Sequence, residues 1–291
     1  MTDSSMIDTS VSSVYDQTLQ RPLTLTGVGL HSGQQATLTL RPRATSGRVL
    51  HRVGQSPVSL CVSEVTQTRR CTEVAGAMTV EHVLAALYAL GYTAVDLELW
   101  GPEFPILDGS ALPVVQALQQ QHPRSLGSRR KICRVPEAFS LNVGDCEIRV
   151  RPAETLCIDY VLEYPLSDKD SPDKDASGNN VLRFSRHYAG HSVFEEQIAP
   201  ARTFVFERDI THLRAAGQAQ GGSLDNAVVF DDAGQPLNVL RFEDEPVRHK
   251  ILDLLGDLAL LGAEVQAHIQ VWRGGHTAHV KLVQQLEKYV R

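Results

Sequence analysis

The stretch from Arg248 to Gly262, R-H-K-I-L-D-L-L-G-D-L-A-L-L-G, constrains the fold of this chain most strongly. At the helical period its leucines and isoleucine cover one side, whereas His249, Asp253 and Asp257 fall on the other. A solvated helix face usually carries long Lys and Glu side chains, but these groups are short and stay close to the backbone. The sequence therefore predicts a helix over 248–262 with a packed apolar side and a candidate functional side.

His249 and Asp253 are four residues apart on this predicted helix, so a nitrogen and an oxygen can reach one metal ion. In a chain with 11 histidines an H-x-x-x-D pair also arises by chance. Two ligands do not complete a site, and a polar helix face without a metal remains an open alternative. A third ligand has to come from another part of the chain.

Charge and cysteine content exclude several classes of function. A net charge of −6 leaves no general basic field for nucleic acid, so we expect no nucleic-acid partner. The 5 cysteines are odd in number and form no C-x-x-C, which indicates free thiols in a reducing compartment. No apolar run approaches the roughly 20 residues of a spanning helix, and the acidic, hydroxyl-rich start lacks a secretory signal. We therefore expect a cytoplasmic protein without a transmembrane segment.

The sequence of the first half predicts several strands, then a helix, another strand and a second helix. We expect a flexible tail over residues 1–20, followed by a first domain over 21–126. Alternating residues after Leu23 predict a hairpin that turns near Ser32 and Gly33. A compact helix then begins with Thr79 as its N-cap, carries Glu81 and His82 in its first turn, and stops at Gly91.

The second half repeats this order over residues 131–291, after a linker-like stretch that places the boundary between His122 and Lys131. It contains a polar loop over 167–179, the helix over 248–262, a strand from Val265 to Trp272 and a closing helix. The two central helices can be aligned, since each has a histidine near its start and a glycine at its end. This alignment suggests an internal duplication.

If the two aligned helices meet, His82, His249 and Asp253 form a two-histidine, one-carboxylate set, as in an open catalytic zinc site. Glu81, beside the ion, is then the candidate general base. His276 could be oriented by Asp257, and a carboxylate partner favours the imidazolium form of a proton donor. A metalloprotease of the H-E-x-x-H type is excluded, because the order here is Glu-His and no second histidine has the required spacing.

These residues and their surroundings resemble the UDP-3-O-acyl-N-acetylglucosamine deacetylase family (LpxC), whose members act in lipid A biosynthesis of Gram-negative envelopes. The resemblance runs from about Pro22 to the end of the chain, with the blocks in family order. The matching blocks are G-V-G-L-H-S-G (27–33), T-V-E-H-V-L-A-A-L (79–87), P-E-F-P-I-L-D-G-S-A (102–111), A-R-T-F (201–204), G-G-S-L-D-N-A (221–227), R-F-E-D-E-P-V-R-H-K-I-L-D-L-L-G-D-L (241–258) and G-H (275–276).

The resemblance implies an α+β fold of two similar domains. Each is a small β-sheet layered on two α-helices, with the helices packed at the domain interface. It also implies site roles for ten residues. His82, His249 and Asp253 bind zinc, Glu81 is the base, His276 and Asp257 are the electrophilic or acidic pair, and Thr203 binds the reacting carbonyl oxygen. Lys250 lies by the substrate, Cys71 lies near the metal and the substrate, and Phe204 lies in an insert (about 199–220) that walls an acyl passage.

Three positions depart from the commoner family pattern. Val205 stands where glycine is frequent, which could narrow the entrance to the passage. Gly274 replaces a usual serine, and His279 stands where asparagine is common, so they bear on the positioning of His276. None of the three departures touches the expected ligands or the base.

The implied activity is zinc-dependent removal of the N-acetyl group from UDP-3-O-(3-hydroxyacyl)-N-acetylglucosamine, with Glu81 as general base; ferrous iron would also suit the ligands. The expected partner is this UDP-linked acylated amino sugar, and the expected state is a monomer. Two alternatives stay open: a metal-dependent amidase of another substrate, and a non-catalytic zinc-containing relative that binds a sugar nucleotide. The sequence leaves open whether Glu81 alone, or Glu81 with His276, handles the protons.

Overall fold

The computed structural model describes residues 14–166, 173–175 and 177–291. The strands in these residues are β1 (Tyr15–Thr18), β2 (Leu23–Val28), β3 (Gln35–Pro42), β4 (Gly47–Arg52), β5 (Val58–Ser59), β6 (Val65–Gln67), β7 (Glu73–Val74), β8 (Ala94–Trp100), β9 (Arg124–Arg129), β10 (Ile132–Arg134), β11 (Phe139–Val143), β12 (Cys146–Pro152), β13 (Cys157–Pro165), β14 (Val181–Ala189), β15 (Phe204–Phe206), β16 (Val228–Phe230) and β17 (Glu264–Trp272). The helices are α1 (Glu81–Ala89), α2 (Leu112–Gln119), α3 (Phe194–Gln197), α4 (Glu207–Ala215), α5 (Glu245–Leu258) and α6 (His276–Leu286).

The two main sheets have the same topology. The first has the strand order β2-β3-β8-β4-β5, and the second has the order β11-β12-β17-β13-β14, with β10 also paired to β17. In each sheet the central strand, β8 or β17, runs antiparallel to one neighbour and parallel to the other. A helix precedes each central strand (α1 or α5) and another follows it (α2 or α6). The expected α+β fold of two similar units is confirmed, and the shared topology supports an internal duplication.

The central helices lie between the sheets, and their sequences explain why. Every residue of α1 from Glu81 to Tyr88 is buried, so this helix has no solvated face. On β17, Val265, Ala267, Ile269 and Val271 alternate with half-buried residues, which gives the sheet one core-facing side.

α1 and α5 cross at close range. A Cβ atom on Gly256 would lie 2.1 Å from the carbonyl oxygen of Glu81, so only glycine fits at this crossing. The crossing brings the starts of both helices, with their histidines and acids, to one place.

Three features of the first half differ from the sequence prediction. The expected flexible tail over 1–20 is wrong for its last part, because Tyr15–Thr18 form β1 and pair antiparallel with β9; residues 1–13 lie outside the described part. The predicted boundary between His122 and Lys131 falls on β9, which is a paired strand rather than a free linker. Thr79 does not cap α1: its φ is 58°, and its hydroxyl donates to Glu103 at 2.7 Å.

Differences in the second half concern lengths of elements. The predicted helix over 248–262 begins earlier, at Glu245, and its α-helical part ends at Leu258 before a 3-10 turn that Gly262 closes in the left-handed region. The expected insert over about 199–220 forms β15 and α4, and β15 pairs in parallel with β16 at 228–230, beyond the expected end. The polar loop over 167–179 lies largely outside the described residues.

None of the helices in the described ranges combines the length and the apolar character that crossing a bilayer requires.

Candidate metal and catalytic centre

The crossing of α1 and α5 assembles three side chains that could hold a metal ion. His82 comes from the first turn of α1, whereas His249 and Asp253 lie one turn apart on α5. One ligand atom from each lies within 4.8 Å of the others. Asp253 Oδ1 is 3.3 Å from His249 Nε2 and 4.0 Å from His82 Nε2. The sequence predicted this set, and the structure brings it together.

The hydrogen bonds of His249 make this set suited to a cation. Its Nδ1–H donates to the carbonyl oxygen of Ala201 at 3.0 Å, so in the neutral ring Nε2 carries a lone pair. That lone pair faces Asp253 Oδ1, which is buried and has no hydrogen-bond donor in the described part of the chain. Two acceptors facing each other at 3.3 Å repel unless a cation lies between them. Two imidazoles and a carboxylate match the ligands of zinc or ferrous iron.

The protonation states also fit a metal site. Burial, followed by the neighbouring His249, lowers the pKa of His82 to about 3. Burial also lowers the pKa of His249, so both rings are neutral near pH 7 and can act as ligands. Burial alone would raise the pKa of Asp253, but Lys250, whose Nζ donates to Oδ2 at 2.7 Å, and then His249 bring it well below its ordinary value. The carboxylate is therefore anionic.

Glu81 and His276 lie beside the candidate ligands His82, His249 and Asp253. His276 Nε2 is 3.8 Å from Glu81 Oε1 and 3.7 Å from Asp253 Oδ2. Burial raises the pKa of Glu81 to about 8, with His276 opposing the rise. For His276 burial acts downward, but Asp257, Asp253 and Glu81 together raise its pKa to about 9. The site thus pairs a carboxyl group that can take a proton with an imidazolium that can give one.

Asp257 orients His276 and is fully buried. Its Oδ2 accepts from Nδ1–H of His276 at 2.9 Å and from Nδ1–H of His279 at 2.9 Å. Its Oδ1 accepts from the hydroxyl of Thr72 at 2.5 Å. The backbone N–H of Thr72 also donates to Glu81 Oε2 at 3.1 Å. The sequence prediction missed Thr72, which follows Cys71 without any local signal of its contacts.

A cavity of about 570 Å³ opens above these groups. Thr203, Phe204 and Lys250 line it, as expected, together with Val205 and Phe206 of the insert. The backbone N–H of Thr203 donates to the carbonyl oxygen of Gly109 at 2.8 Å, which fixes this residue against the first half of the chain. Beneath the insert an apolar cluster of Phe206, Val228 and Phe230 packs against Tyr164 and other partly buried apolar side chains.

Cys71, which the resemblance places near the metal, does not line the cavity. It is 2% exposed and is not among the residues that line the cavity, so it lies beneath the surface near Glu81. His31, which precedes the predicted turn at Ser32 and Gly33, also lines the cavity, and both of its ring nitrogens are buried without a partner in the described residues. The sequence feature that could have pointed to His31 is its position at a sharp bend in the G-L-H-S-G block.

Positive charge surrounds the mouth of the cavity. Four arginines line it in addition to Lys250, against the acidic side chains Asp145 and Asp209. The arginines are Arg69, Arg70, Arg208 and Arg273. No local sequence pattern marks this group, because Arg69 and Arg70 lie far along the chain from Arg208 and Arg273, and the net charge of the whole protein is negative.

Comparison with known proteins decides the family. The family model for UDP-3-O-acyl N-acetylglycosamine deacetylase (LpxC) matches residues 16–288. The chain belongs to the LpxC family. A UDP-3-O-acyl-N-acetylglucosamine deacetylase of Syntrophotalea carbinolica is 36% identical over 94% of this chain and 88% of the relative. Those of Synechocystis sp. and Haemophilus influenzae are 38% and 35% identical over 92% and 93% of this chain, and over 97% and 89% of the relatives.

The family prediction from the sequence is therefore confirmed. Membership in LpxC agrees with the two-unit α+β fold and with a His-His-Asp group that could bind a metal. The three departures from the commoner pattern lie close to the site: Val205 lines the cavity, Gly274 lines it just before α6, and His279 contacts Asp257 from within α6.

Proposed function

We propose that this LpxC member removes the N-acetyl group from UDP-3-O-(3-hydroxyacyl)-N-acetylglucosamine in lipid A biosynthesis. The observation that carries the proposal is that two hydrogen-bond acceptors, His249 Nε2 and Asp253 Oδ1, face each other beside Glu81 and His276. A metal used only as a structural support would need neither Glu81 nor His276. The names of the relatives supply the substrate class.

His82, His249 and Asp253 would hold the ion, which we propose is zinc, with ferrous iron also compatible. A divalent ion bound there supplies Lewis-acid chemistry, since it lowers the pKa of nearby water and polarises a carbonyl oxygen. Its charge would also lower the pKa of Glu81 from the value of about 8 that burial sets without it, so more of this group would be carboxylate near pH 7.

Glu81 takes the proton of the attacking water as general base, because its carboxylate lies 3.8 Å from His276 Nε2 and within 4.8 Å of an Asp253 oxygen. The Thr203 hydroxyl, on a backbone anchored by Gly109, helps to stabilise the oxyanion as the acetamide carbonyl is attacked. Imidazolium His276, held by Asp257, then gives a proton to the leaving amine. Glu81, once protonated, could give the same proton, so the geometry supports both one-base and two-group schemes.

The cavity suits the two ends of the proposed substrate. Phe204, Val205 and Phe206 provide an apolar wall for the acyl chain, where each buried methylene contributes about 0.8 kcal/mol. The arginines around the mouth, with Lys250 nearby, complement the two phosphates of UDP. We propose that the enzyme works in the cytoplasm, as a monomer, on this UDP-linked amino sugar.

Acetate release from UDP-3-O-(3-hydroxyacyl)-N-acetylglucosamine by metal-loaded protein tests the proposal. We expect turnover that disappears after chelation and returns with zinc. We also expect a much lower kcat/KM for the analogue without the acyl chain. Absence of turnover with several acyl lengths would contradict the proposed function, and equal kcat/KM for both substrates would contradict the acyl passage.

A further inference from the structure

We propose that Tyr160 and His279 form a positioning pair that fixes Asp257, and through Asp257 the orientation of His276. The inference rests on the proposed function for its catalytic consequence. The geometry that supports it is independent of that function. Neither residue touches the cavity: Tyr160 lies on β13, His279 lies on α6, and both side chains are fully buried.

His279 shares one carboxylate oxygen with His276. Both rings place Nδ1 at 2.9 Å from Asp257 Oδ2. A carboxylate only accepts hydrogen bonds, so both Nδ1 atoms carry a proton. With Thr72 on Oδ1, Asp257 receives three donors, two from α6 and one from the segment before α1. A carboxylate that is buried away from water and held from three directions has one preferred orientation.

Tyr160 extends this chain of hydrogen bonds beyond His279. Its hydroxyl lies 3.0 Å from His279 Nε2, and burial keeps the hydroxyl protonated by raising the pKa of Tyr160 well above its ordinary value. Since Nδ1 of His279 donates to Asp257, the neutral ring has its acceptor at Nε2, and the Tyr160 hydroxyl donates to it. The tyrosine therefore stabilises the tautomer in which His279 donates to Asp257.

Close packing holds the tyrosine hydroxyl in place. A Cβ atom on Gly274 would lie 2.3 Å from the Tyr160 hydroxyl oxygen, so this glycine leaves the space that the hydroxyl fills. Gly274 immediately precedes the Gly275-His276 start of α6. The hydroxyl thus packs against the backbone that leads into the catalytic histidine while it also binds His279.

Loss of the pair removes one of three donors from Asp257, and the buried oxygen cannot recruit bulk water as a substitute. His276 then loses its fixed direction toward Glu81 and Asp253, which lie 3.8 and 3.7 Å from its Nε2. A misplacement of about 1 Å in a catalytic site can cost roughly 100-fold in rate. Substrate affinity should change little, because the pair does not line the cavity.

Four variants separate positioning from packing. His279→Leu removes the donor, and we expect kcat to fall about 10- to 100-fold with KM changed less than about twofold. Tyr160→Phe removes only the hydroxyl and should give a smaller fall in kcat. His279→Asn should restore most of the rate relative to His279→Leu, because the amide nitrogen of asparagine occupies the position of Nδ1. Val283→Ala, a fully buried change elsewhere on α6, is the packing control.

Wild-type kcat in both His279→Leu and Tyr160→Phe would overturn the proposal. An equal loss in Val283→Ala, or no difference between His279→Asn and His279→Leu, would also overturn it, because packing alone would then account for the effect.

A measurement that does not need turnover separates this inference from the proposed function. Long-range nitrogen–proton NMR of the histidine rings should show His279 with its proton on Nδ1 in the wild type, and a fraction with the proton on Nε2 in Tyr160→Phe. A wild-type ring protonated on Nε2 would refute the pair even in an active enzyme. The expected tautomers in a protein without deacetylase activity would leave the pair supported and the proposed function contradicted.

Discussion

At the scale of single residues, Glu81 combines burial, a raised pKa and a position beside the ligand set. Replacement of Glu81 by glutamine keeps the size of the side chain but removes the proton acceptor. We expect kcat to fall by about 10²–10⁴-fold, the usual contribution of a general base, while the metal content is retained. The measurement is acetate release at saturating substrate, with metal analysis of the same samples.

The pH profile of kcat adds a second outcome for the same substitution. In the proposed mechanism Glu81 acts as a carboxylate, so activity should rise with pH as this group loses its proton, at a pH below about 8 when a cation is bound. Activity should fall again as His276 loses its own proton, at a pH below the value of about 9 that its acidic neighbours set without a cation. Glu81→Gln should abolish the rising part. The control is Glu264→Gln, which changes a partly buried glutamate at the start of β17, outside the lining of the cavity. Loss of metal in Glu81→Gln would instead make Glu81 a ligand.

The site residues that the sequence predicted best are those that lie on the same helix. Helical periodicity alone places His249 and Asp253 on one face, and the structure has them one turn apart. Thr72, Tyr160 and His31 had no such signal, since their contacts with the site come from tertiary packing of distant segments. A local pattern cannot report a contact that depends on where another element lies.

At the scale of elements, the start of α1 shows tertiary contacts overriding a local rule. A threonine before E-H-V-L-A-A-L is a standard N-cap signal. Thr79 instead has φ 58°, and its hydroxyl donates to Glu103, a fully buried carboxylate that also accepts from the backbone N–H groups of His31 and Ser32. Satisfying that buried charge outweighs one capping bond. The helix was therefore predictable, but its first residue was not.

The crossing of the two central helices gives an element-scale prediction. A Cβ atom at Gly256 would lie 2.1 Å from the carbonyl oxygen of Glu81, so Gly256→Ala has to push α1 away from α5. We expect the free energy of unfolding to fall by about 1–3 kcal/mol, as for other overpacked cores. We also expect kcat to fall, because Glu81 and His82 move relative to His249 and Asp253. Thermal unfolding and kcat are measured on the same preparation.

Gly222→Ala is the matched control for this prediction. A Cβ atom there would be 3.4 Å from its nearest neighbour, the carbonyl oxygen of Ala219, which is ordinary contact. This variant should keep stability and rate. Wild-type kcat in Gly256→Ala would mean that the close crossing does not set the geometry of the site.

At the scale of the whole molecule, the repeat in the sequence predicted more than any single motif did. The alignment of the two central helices suggested a duplication, and the two main sheets have matching strand orders. The pairing of β1 with β9 was missed, because Tyr15–Thr18 is short and its partner lies more than 100 residues further along the chain. Strand pairing at that separation leaves little trace in local composition. The domain limits predicted at 21–126 and 131–291 stay predictions.

Arg48 joins the two halves of the molecule at the C-terminal ends of the two central helices. It lies on β4 and is 6% exposed, and it donates to the carbonyl oxygen of Tyr92 at 3.0 Å and to that of Ala259 at 3.1 Å. These carbonyls follow the ends of α1 and α5, where a cation also offsets the helix dipoles. At 1.5 Å per residue, Ala259 is about 15 Å along the helix axis from His249.

Arg48→Met should therefore lower the free energy of unfolding without lowering kcat. Methionine preserves much of the buried stem but leaves two carbonyls without their charged donor, so the free energy of unfolding should fall by about 2–4 kcal/mol. The kcat measured well below the new melting temperature should stay within about twofold of wild type, because Arg48 donates to Tyr92 and Ala259 rather than to the proposed metal ligands, Glu81 or His276. Arg52→Met is the matched control, since Arg52 donates to one carbonyl, that of Ala75, within the first half alone. A loss of kcat in Arg48→Met at unchanged stability would mean instead that this junction communicates with the site, and that the two halves do not act as a rigid frame.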